Sequence, residues 1–243
     1  MIWILAVDTS SPGGAVALVR DDTVVLDLAG DPAVSHAERL PAAIAAVLAE
    51  AAVPATALDV LAVAAGPGAF TGLRVGLATI QGLALALDRP TAGVSSLAAV
   101  AWRWFEGGRD GDRCGVWLDG ARGDVFAAAY ARPAAGSWPL AEIAPPTVAR
   151  PEATLTAWHG VLAPAGPLLL GPGGTRHAAA AGTAWPVVVA DLPVAGAVGR
   201  IAGRLHAAGL TGPPHALAPL YVRRPDAEVE RERRRAAGAA AGG

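Results

Sequence analysis

The sequence predicts an α/β fold in which helices cover mixed β-sheets. The element order carries this prediction: three short apolar runs separated by polar turns come first, followed by helices that alternate with further strands. Turns this short join antiparallel strands, and alternation with helices is typical of parallel strands. A second observation is a weak repeat, because Asp8 and Asp119 each end a strand that another strand soon follows. The chain is therefore expected to contain two related units.

The first three strands are expected over Ile2–Val7, Ala15–Val19 and Thr23–Leu28. A helix follows, since Ser35 and Glu38 have the spacing of a capping box. Pro41 would lie in or close to its first turn. Four apolar residues with i, i+4, i+7, i+8 spacing share one face of this helix: Leu40, Ile44, Val47 and Leu48.

The rest of the first half alternates between strand and helix. Asp59–Ala65 is rich in Val and Leu and too short for a helix, which predicts a buried parallel strand. A long apolar helix then ends at about Leu87. A strand over Thr91–Val94 and a helix over Ser95–Phe105 complete this half.

A Gly- and Asp-rich boundary over Glu106–Arg113 separates the second half from the first. Its expected strands are Gly115–Leu118, Val125–Tyr130, Ala141–Ala144, Leu168–Leu170 and Val187–Val189. Its expected helices are Glu152–Trp158, Thr175–Ala181 and Val194–Ala208. The charged, Ala/Gly-rich tail over residues 223–243 is expected to be solvated and disordered.

Composition excludes several classes of protein. Of the 243 residues, 53% are hydrophobic and 16% charged, which excludes a wholly disordered chain. A net charge of −2 gives no overall field to attract nucleic acid or an anionic membrane. Prolines interrupt the long uncharged run between Glu152 and Arg176, so no membrane span is expected. The single cysteine, Cys114, excludes an intrachain disulfide framework, and the chain is expected to be cytoplasmic.

Gly66–Gly76 is the strongest motif, because glycines between a strand and a helix let backbone N–H groups approach an anion. All 19 basic residues are Arg, which excludes a phosphate loop that ends in Lys-Ser or Lys-Thr. Thr71 stands where a dinucleotide-binding fingerprint needs glycine. Gly72 and Gly76 lie four residues apart and would permit close helix contact, inside the fold or with a partner. Packing without any ligand remains an equal alternative.

Asp8, Thr9 and Ser10 follow the first strand and form a second candidate site. A carboxylate there can organise a metal ion, while hydroxyl and backbone N–H groups can hold phosphate. The alternative is that Asp8 and Ser10 only satisfy the amides of their own turn.

Residue patterns for other chemistries are missing from the sequence. None of the five histidines, His36, His159, His177, His206 and His215, pairs with another at i, i+4, so no metal site is predicted. Ser95-Ser96 lacks the second glycine of a nucleophile elbow. Since no acid–base pair stands out either, the sequence predicts no catalytic residue.

Several segments together resemble one known family. They are Ile4–Ser10 (ILAVDTS), Ser35–Pro41 (SHAERLP), Gly66–Gly76 (GPGAFTGLRVG), Leu118–Phe126 (LDGARGDVF) and Pro219–Arg223 (PLYVR). In these motifs and their order the chain resembles the bacterial TsaB (YeaZ) family, a subunit of the tRNA threonylcarbamoyladenosine machinery.

The resemblance implies the fold shared by actin, hexokinase-type sugar kinases and heat-shock chaperone ATPases, with two ribonuclease-H-like lobes built on mixed sheets. The first lobe would comprise residues 1–106, joined by the 194–208 helix, and a degenerate second lobe residues 107–193.

The resemblance also implies a function as a noncatalytic partner. A larger homologous subunit, TsaD, would hold the metal and the catalytic site, and an ATPase, TsaE, would join them. The complex transfers a threonylcarbamoyl group from threonylcarbamoyl-adenylate to N6 of the adenosine beside the anticodon (position 37) in tRNAs reading ANN codons. This chain would meet tRNA through the complex and would form a homodimer when alone.

No cofactor of its own is expected, although ATP or ADP could bind weakly at a vestigial nucleotide or phosphate site. That site would comprise Asp8, Thr9, Ser10, Gly66, Gly68 and Asp119. The alternative function is a free-standing ATPase or kinase of the actin and sugar-kinase fold, with Mg²⁺–ATP held between Asp8 and Asp119. A peptidase lacks a visible nucleophile–base set.

Two helices are expected to form the docking face for the partner. Its proposed residues are His36, Leu40, Ile44, Val47, Leu48, Phe70, Thr71, Gly72, Arg74, Val75, Gly76 and Thr79. The competing interpretation assigns the same residues to the core, because one face of each helix must cover the sheet.

Overall fold

Two five-stranded sheets organise the molecule. The computed structural model describes residues 1–106, 113–132, 140–162, 167–172, 174–183, 185–189 and 193–222. The first sheet contains β1 (Trp3–Asp8), β2 (Ala15–Arg20), β3 (Thr23–Ala29), β4 (Val60–Gly66) and β5 (Thr91–Ser95). The second contains β6 (Arg113–Asp119), β7 (Val125–Ala131), β8 (Ala141–Ala149), β9 (Leu168–Leu170) and β10 (Val187–Val189).

The two sheets share one topology. The strand order is β3-β2-β1-β4-β5 in the first and, in the equivalent direction, β8-β7-β6-β9-β10 in the second. The first three strands of each sheet pair antiparallel, and the last two join in parallel. The mixed sheets and the weak repeat expected from the sequence are thereby confirmed.

Six α-helices in the described residues form layers around these sheets. They are α1 (His36–Glu50), α2 (Phe70–Leu87), α3 (Ser96–Glu106), α4 (Pro151–Leu162), α5 (Ala178–Ala181) and α6 (Ala195–Ala207). Short 3₁₀ turns cover Ala55–Ala57, Gly174–His177 and Pro214–Ala216. Helices α1 and α2 cover the outer face of the first sheet, α3 and α6 lie between the sheets, and α4 and α5 cover the second sheet.

The start of α1 is set by Ser35, whose side chain accepts a hydrogen bond from the Glu38 amide at 3.4 Å. The predicted N-cap is confirmed. Pro41, expected in or close to the first turn, is the sixth residue of the helix and so lies close to that turn but not in it. Pro41 lies beyond the first turn, at a place where proline removes an intrahelical hydrogen bond.

The last helix returns to the first sheet. The Gly196 amide of α6 donates to Asp27 Oδ2 of β3 at 3.2 Å. Arg200 donates to both carboxylate oxygens of Asp22, from Nε at 3.1 Å and from Nη2 at 2.9 Å. Helix α6 is one residue shorter at each end than predicted. Most of the expected boundary between the lobes, residues 107–112, and the tail over 223–243 lie outside the described residues.

Helix α2 is by length and composition apolar enough to cross a membrane, with a mean hydropathy of 1.4 over Phe70–Leu87. Core helices of soluble proteins pass the same test. The buried residues of α2 pack against the first sheet and include Leu77, Ile80 and Ala84.

Candidate functional site

A cleft of about 390 Å³ lies between the two lobes. From the first lobe it is lined by the β1–β2 loop and by the starts of α2 and α3. From the second lobe it is lined by the end of β6, by the turn that follows and by the 3₁₀ turn at Arg176. Among the candidate nucleotide-site residues it brings together Ser10, Gly68 and Asp119. Asp8 instead lines a neighbouring cavity of about 330 Å³, and Ser11, Pro12 and Pro172 border both.

Asp8 ends β1 and is only 2% exposed. Its Oδ1 accepts hydrogen bonds from the Ser10 amide at 2.8 Å and from Ser10 Oγ at 2.6 Å. Its Oδ2 accepts from Ser11 Oγ at 3.3 Å. The carboxylate thus satisfies its own turn, which favours the second of the two interpretations that the sequence left open.

The carboxylate of Asp119, at the equivalent end of β6, also has partners within the protein. Arg176 Nη1 lies 3.0 Å from Asp119 Oδ2. On the other oxygen, Oδ1, the Ala121 amide donates at 3.1 Å and His177 Nε2 lies at 3.4 Å. A divalent cation would have to displace the Arg176 guanidinium, since both would neutralise the same charge. Among the described residues no group of three or more His, Cys, Asp or Glu side chains is placed to hold a metal ion.

The glycine loop between β4 and α2 packs against the β1–β2 loop. The Ala69 amide donates to the Ser10 carbonyl at 2.9 Å, so this backbone group is already used within the protein. A Cβ on Gly68 would lie 2.6 Å from both Cβ and O of Ser10. Gly66 has a φ of +118°, which glycine adopts without steric cost. Close backbone contact therefore explains Gly66 and Gly68. This agrees with the interpretation in which the glycines serve packing and bind no ligand.

A Cβ on Gly72 would lie 3.2 Å from His36, the first residue of α1, so this glycine permits a helix contact inside the fold. Gly72 and Gly76 are both buried against Thr9 at the end of β1, and a Cβ on either glycine would clash with it. Because both glycines are buried, neither is exposed to a partner, and for Gly72 the close helix contact is the one inside the fold. Thr9 Oγ1 is itself buried and has no hydrogen-bond partner among the described residues.

Three further residues expected at the docking face lie in the core. Leu40, Ile44 and Val47 are at most 6% exposed and pack against the outer face of the first sheet. Leu48, Val75 and Thr79 are half-buried. The core interpretation is therefore correct for the buried three, because the apolar stripe of α1 faces the sheet.

His36 lies in a small polar cluster at the start of α1. Its Nδ1 is 2.6 Å from Arg39 Nη2, which also donates to the Gly13 carbonyl. Since the guanidinium can only donate, Nδ1 acts as the acceptor, and the ring is neutral. Burial and the Arg39 charge lower the pKa of His36 below its usual range. His36 is thereby tied to the loop after β1 and is half-buried.

The exposed faces of α1 and α2 consist largely of uncharged residues outside the set expected from the sequence. On α1 they include Ala42, Ala45, Ala46 and Ala49, and on α2 they include Ala78, Gly82, Leu85 and Ala86. Phe70, Thr71 and Arg74, which were expected at the docking face, are exposed on α2 as well. The sequence carried one signal for the remaining exposed residues. On each helix, the face opposite the apolar stripe is largely uncharged, which is unusual for a face in water.

Comparison with known proteins identifies the family. Residues 32–157 match the model of the family described as TsaD, tRNA N6-adenosine threonylcarbamoyltransferase. An uncharacterized protein of Mycobacterium tuberculosis is 34% identical over 93% of both chains. The tRNA threonylcarbamoyladenosine biosynthesis protein TsaB of Escherichia coli is 35% identical over 56% of this chain and 58% of that protein.

Among solved structures, YeaZ from Pseudomonas aeruginosa superposes with a TM-score of 0.77 at 27% identity. The superposition covers 91% of this chain and all of that one. The chain belongs to the TsaB (YeaZ) family. The resemblance seen in the sequence and the fold that it implies, two lobes of the actin-like class, are confirmed. Asp119 in the cleft and Asp8 in the neighbouring cavity are both engaged by groups of their own chain.

Proposed function

We propose that this chain is a cytoplasmic, noncatalytic subunit in tRNA threonylcarbamoyladenosine biosynthesis that docks to a TsaD-type catalytic subunit. The proposal is supported by the TsaB relatives and by the match to the TsaD family model. The single observation that carries the docking role is that the exposed outer face of α1 and α2 bears very few charged residues. This face, rather than the buried stripe, is the surface that a partner can reach.

The docking face is unusually free of charge for a solvent-exposed helix pair. Arg74 is the only charged residue within the 18 residues of α2. On α1 the exposed residues between Glu38 and Glu50 are proline and alanine. Small side chains let the backbone of a partner helix approach closely, and uncharged ones are buried at little desolvation cost. The face therefore suits an apolar helical surface better than it suits water.

Transfer of the threonylcarbamoyl group is assigned to the partner. In the described residues the interlobe carboxylates Asp8 and Asp119 are held by hydroxyl groups, amides and Arg176. In this part of the chain Asp8 has only its own turn as hydrogen-bond partner, and the one imidazole beside Asp119, that of His177, faces the carboxylate at 3.4 Å. We assign the chain no cofactor, and contact with tRNA and with the ATPase TsaE comes through the complex. In the absence of a partner the same face pairs with a second copy.

The test is size-exclusion chromatography with the catalytic homologue of the same organism, followed by a transfer assay with tRNA. The wild-type chain should co-elute and should be required for modification. Ala45→Glu places a charge on the outer face of α1 and should abolish both. Ala157→Glu is the matched control, because it adds the same charge to an exposed alanine of α4 on the other lobe.

Each result has a defined meaning. If the wild-type chain never co-elutes and modification proceeds without it, the proposed function is wrong. If the wild-type chain binds and Ala45→Glu binds equally well, the subunit role stands and the docking face is wrong.

A further inference from the structure

The motif Pro219–Arg223 has no role in the function proposed so far, and the structure shows where its described part lies. The segment over residues 213–222, here called the strap, runs along α2. Gln81 Nε2 of α2 donates to the Leu217 carbonyl at 3.0 Å. The Leu220 amide donates to the Ala65 carbonyl at the end of β4 at 2.8 Å. These bonds fix the strap beside the glycine loop and the first turn of α2.

The strap brings Tyr221 onto Phe70. Their ring centroids are 5.9 Å apart with an interplanar angle of 26°. The Arg74 guanidinium carbon lies 4.1 Å from the Phe70 centroid. Phe70, Leu220 and Tyr221 remain 43%, 45% and 41% exposed. We call these four residues, Phe70, Arg74, Leu220 and Tyr221, the aromatic platform.

Arg74 gives the aromatic platform a positive charge. No carboxylate lies within ion-pair distance of it among the described residues, and it is the only charge on α2. An arginine held over an aromatic ring is preorganised to bind a carboxylate through its free N–H groups. Tyr and Arg are also the residue types that most often dominate binding energy at protein interfaces. The charge and the rings together fit a surface that is apolar with an acidic side chain.

The platform is continuous with the docking face. Thr71, Arg74 and Ala78 are exposed at i, i+3 and i+7, which places them on one stripe of α2. The platform lies at the end of this stripe, where the strap widens the surface beyond the two helices. A partner seated on α1 and α2 can therefore reach Tyr221 without leaving the surface.

We propose that the aromatic platform is a principal contact for the catalytic subunit, and that the partner sets a carboxylate against Arg74 and an apolar side chain over Phe70 and Tyr221. The strap residue Tyr221 would thus bind the partner in addition to packing against Phe70 of α2. This inference rests on the proposed function, since the occupant is the TsaD-type partner named there. It adds a segment from the end of the chain to the interface and specifies the chemistry of the opposite surface.

The experiment is a calorimetric titration of the full chain with the catalytic homologue. Arg74→Glu and Tyr221→Ala should each weaken binding by about tenfold or more, as expected for residues near the centre of an interface. Tyr221→Phe keeps the ring and should bind like the wild type. Arg20→Glu is the matched control, because Arg20 also lies over an aromatic ring, 5.6 Å from the centroid of Trp3, away from the platform. It should change affinity by no more than about twofold.

A salt series separates a docking role from a fold-stabilising one. The wild-type affinity should fall as salt rises, and Arg74→Gln should bind more weakly with a smaller dependence on salt. If the substitution only reduced stability, the molecules that remain folded would bind with the same salt dependence as the wild type. Arg74→Gln also tests the inference if Tyr221→Ala fails to fold.

Three results would overturn the inference. Equal affinity of Arg74→Glu, Tyr221→Ala and the wild type excludes the platform while leaving the proposed function intact. Absence of any wild-type binding removes the proposed function together with the inference. If the free chain binds tRNA, and both variants lose tRNA but keep the catalytic subunit, the platform is an RNA surface instead.

Discussion

Thr9 Oγ1 occupies the space that a Cβ on Gly76 would need. Gly76 lies in the middle of α2, and the helix touches the end of β1 at this point. The absence of a side chain therefore sets how closely α2 approaches the first sheet. Gly68 and Gly72 make similar close contacts with Ser10 and Thr9. The main role of the Gly66–Gly76 motif is therefore to let α2 pack closely against the end of β1.

Gly76→Ala should destabilise the protein by about 1–3 kcal/mol, because the added methyl group meets Thr9 and Val63 in a packed core. Gly82→Ala is the control on the same helix, where a Cβ meets no atom of the described residues within 4 Å. It should stabilise the protein by about 1 kcal/mol through helix propensity. Urea unfolding measures both, and a Gly76→Ala protein as stable as the wild type would contradict the close packing.

Leu40→Ala should reduce the free energy of unfolding by about 2–5 kcal/mol, because Leu40 is buried between α1 and the first sheet. Ala46→Ser, on the exposed side of the same helix, should change it by less than about 0.5 kcal/mol. Thermal unfolding followed by circular dichroism gives the comparison. A Leu40→Ala protein that keeps full stability yet loses its partner would restore Leu40 to the docking face.

Protonation of His36 should destabilise the fold. Its folded-state pKa is lowered, while in the unfolded chain it titrates near 6.5. The unfolded state therefore binds the proton more tightly, and the stabilisation present above pH 6.5 is lost as pH falls through the folded pKa. Relative to His36→Gln, the wild type should lose stability as the pH falls from about 7.5 to below 6.5. The other titrating groups are common to both proteins, so a pH-independent difference would contradict the assignment.

Mg²⁺–ATP should give no heat of binding at millimolar concentration, because Arg176 already neutralises Asp119 and Asp8 is engaged by its own turn. Isothermal titration calorimetry of the free chain is the measurement, with Asp119→Asn as the control. Binding that Asp119→Asn abolishes would instead support the free-standing ATPase or kinase.

The local structure of the chain was largely predictable. The strand β9 has the predicted limits, the helix α2 ends at Leu87 as predicted, and Ser35 caps α1 as its spacing with Glu38 indicates. These features depend on residues close in sequence: hydrophobic periodicity, a capping side chain and glycines at the start of a helix. The weak repeat also predicted the paired topology of the two sheets, because each half places Asp at the end of its first strand.

The candidate site was predicted less well. Periodicity identified Leu40, Ile44 and Val47 as one face of a helix, but it is the same for a face that meets a sheet and one that meets a partner. The ion pair between Asp119 and Arg176 joins residues 57 positions apart, so no local pattern signals it. The stack of Tyr221 on Phe70 depends on the course of the strap along α2, which hydrogen bonds to Gln81 and Ala65 decide.

By itself, the sequence determined the elements, their order, the duplication and the family, because propensity, periodicity and motif spacing are properties of short segments. Only the tertiary structure decided which side of α1 and α2 is buried, which carboxylates are already paired, and which side chains from distant segments share a surface. Those outcomes follow from how the two lobes, α6 and the strap pack together, since burial and charge pairing arise between residues that only the fold brings into contact.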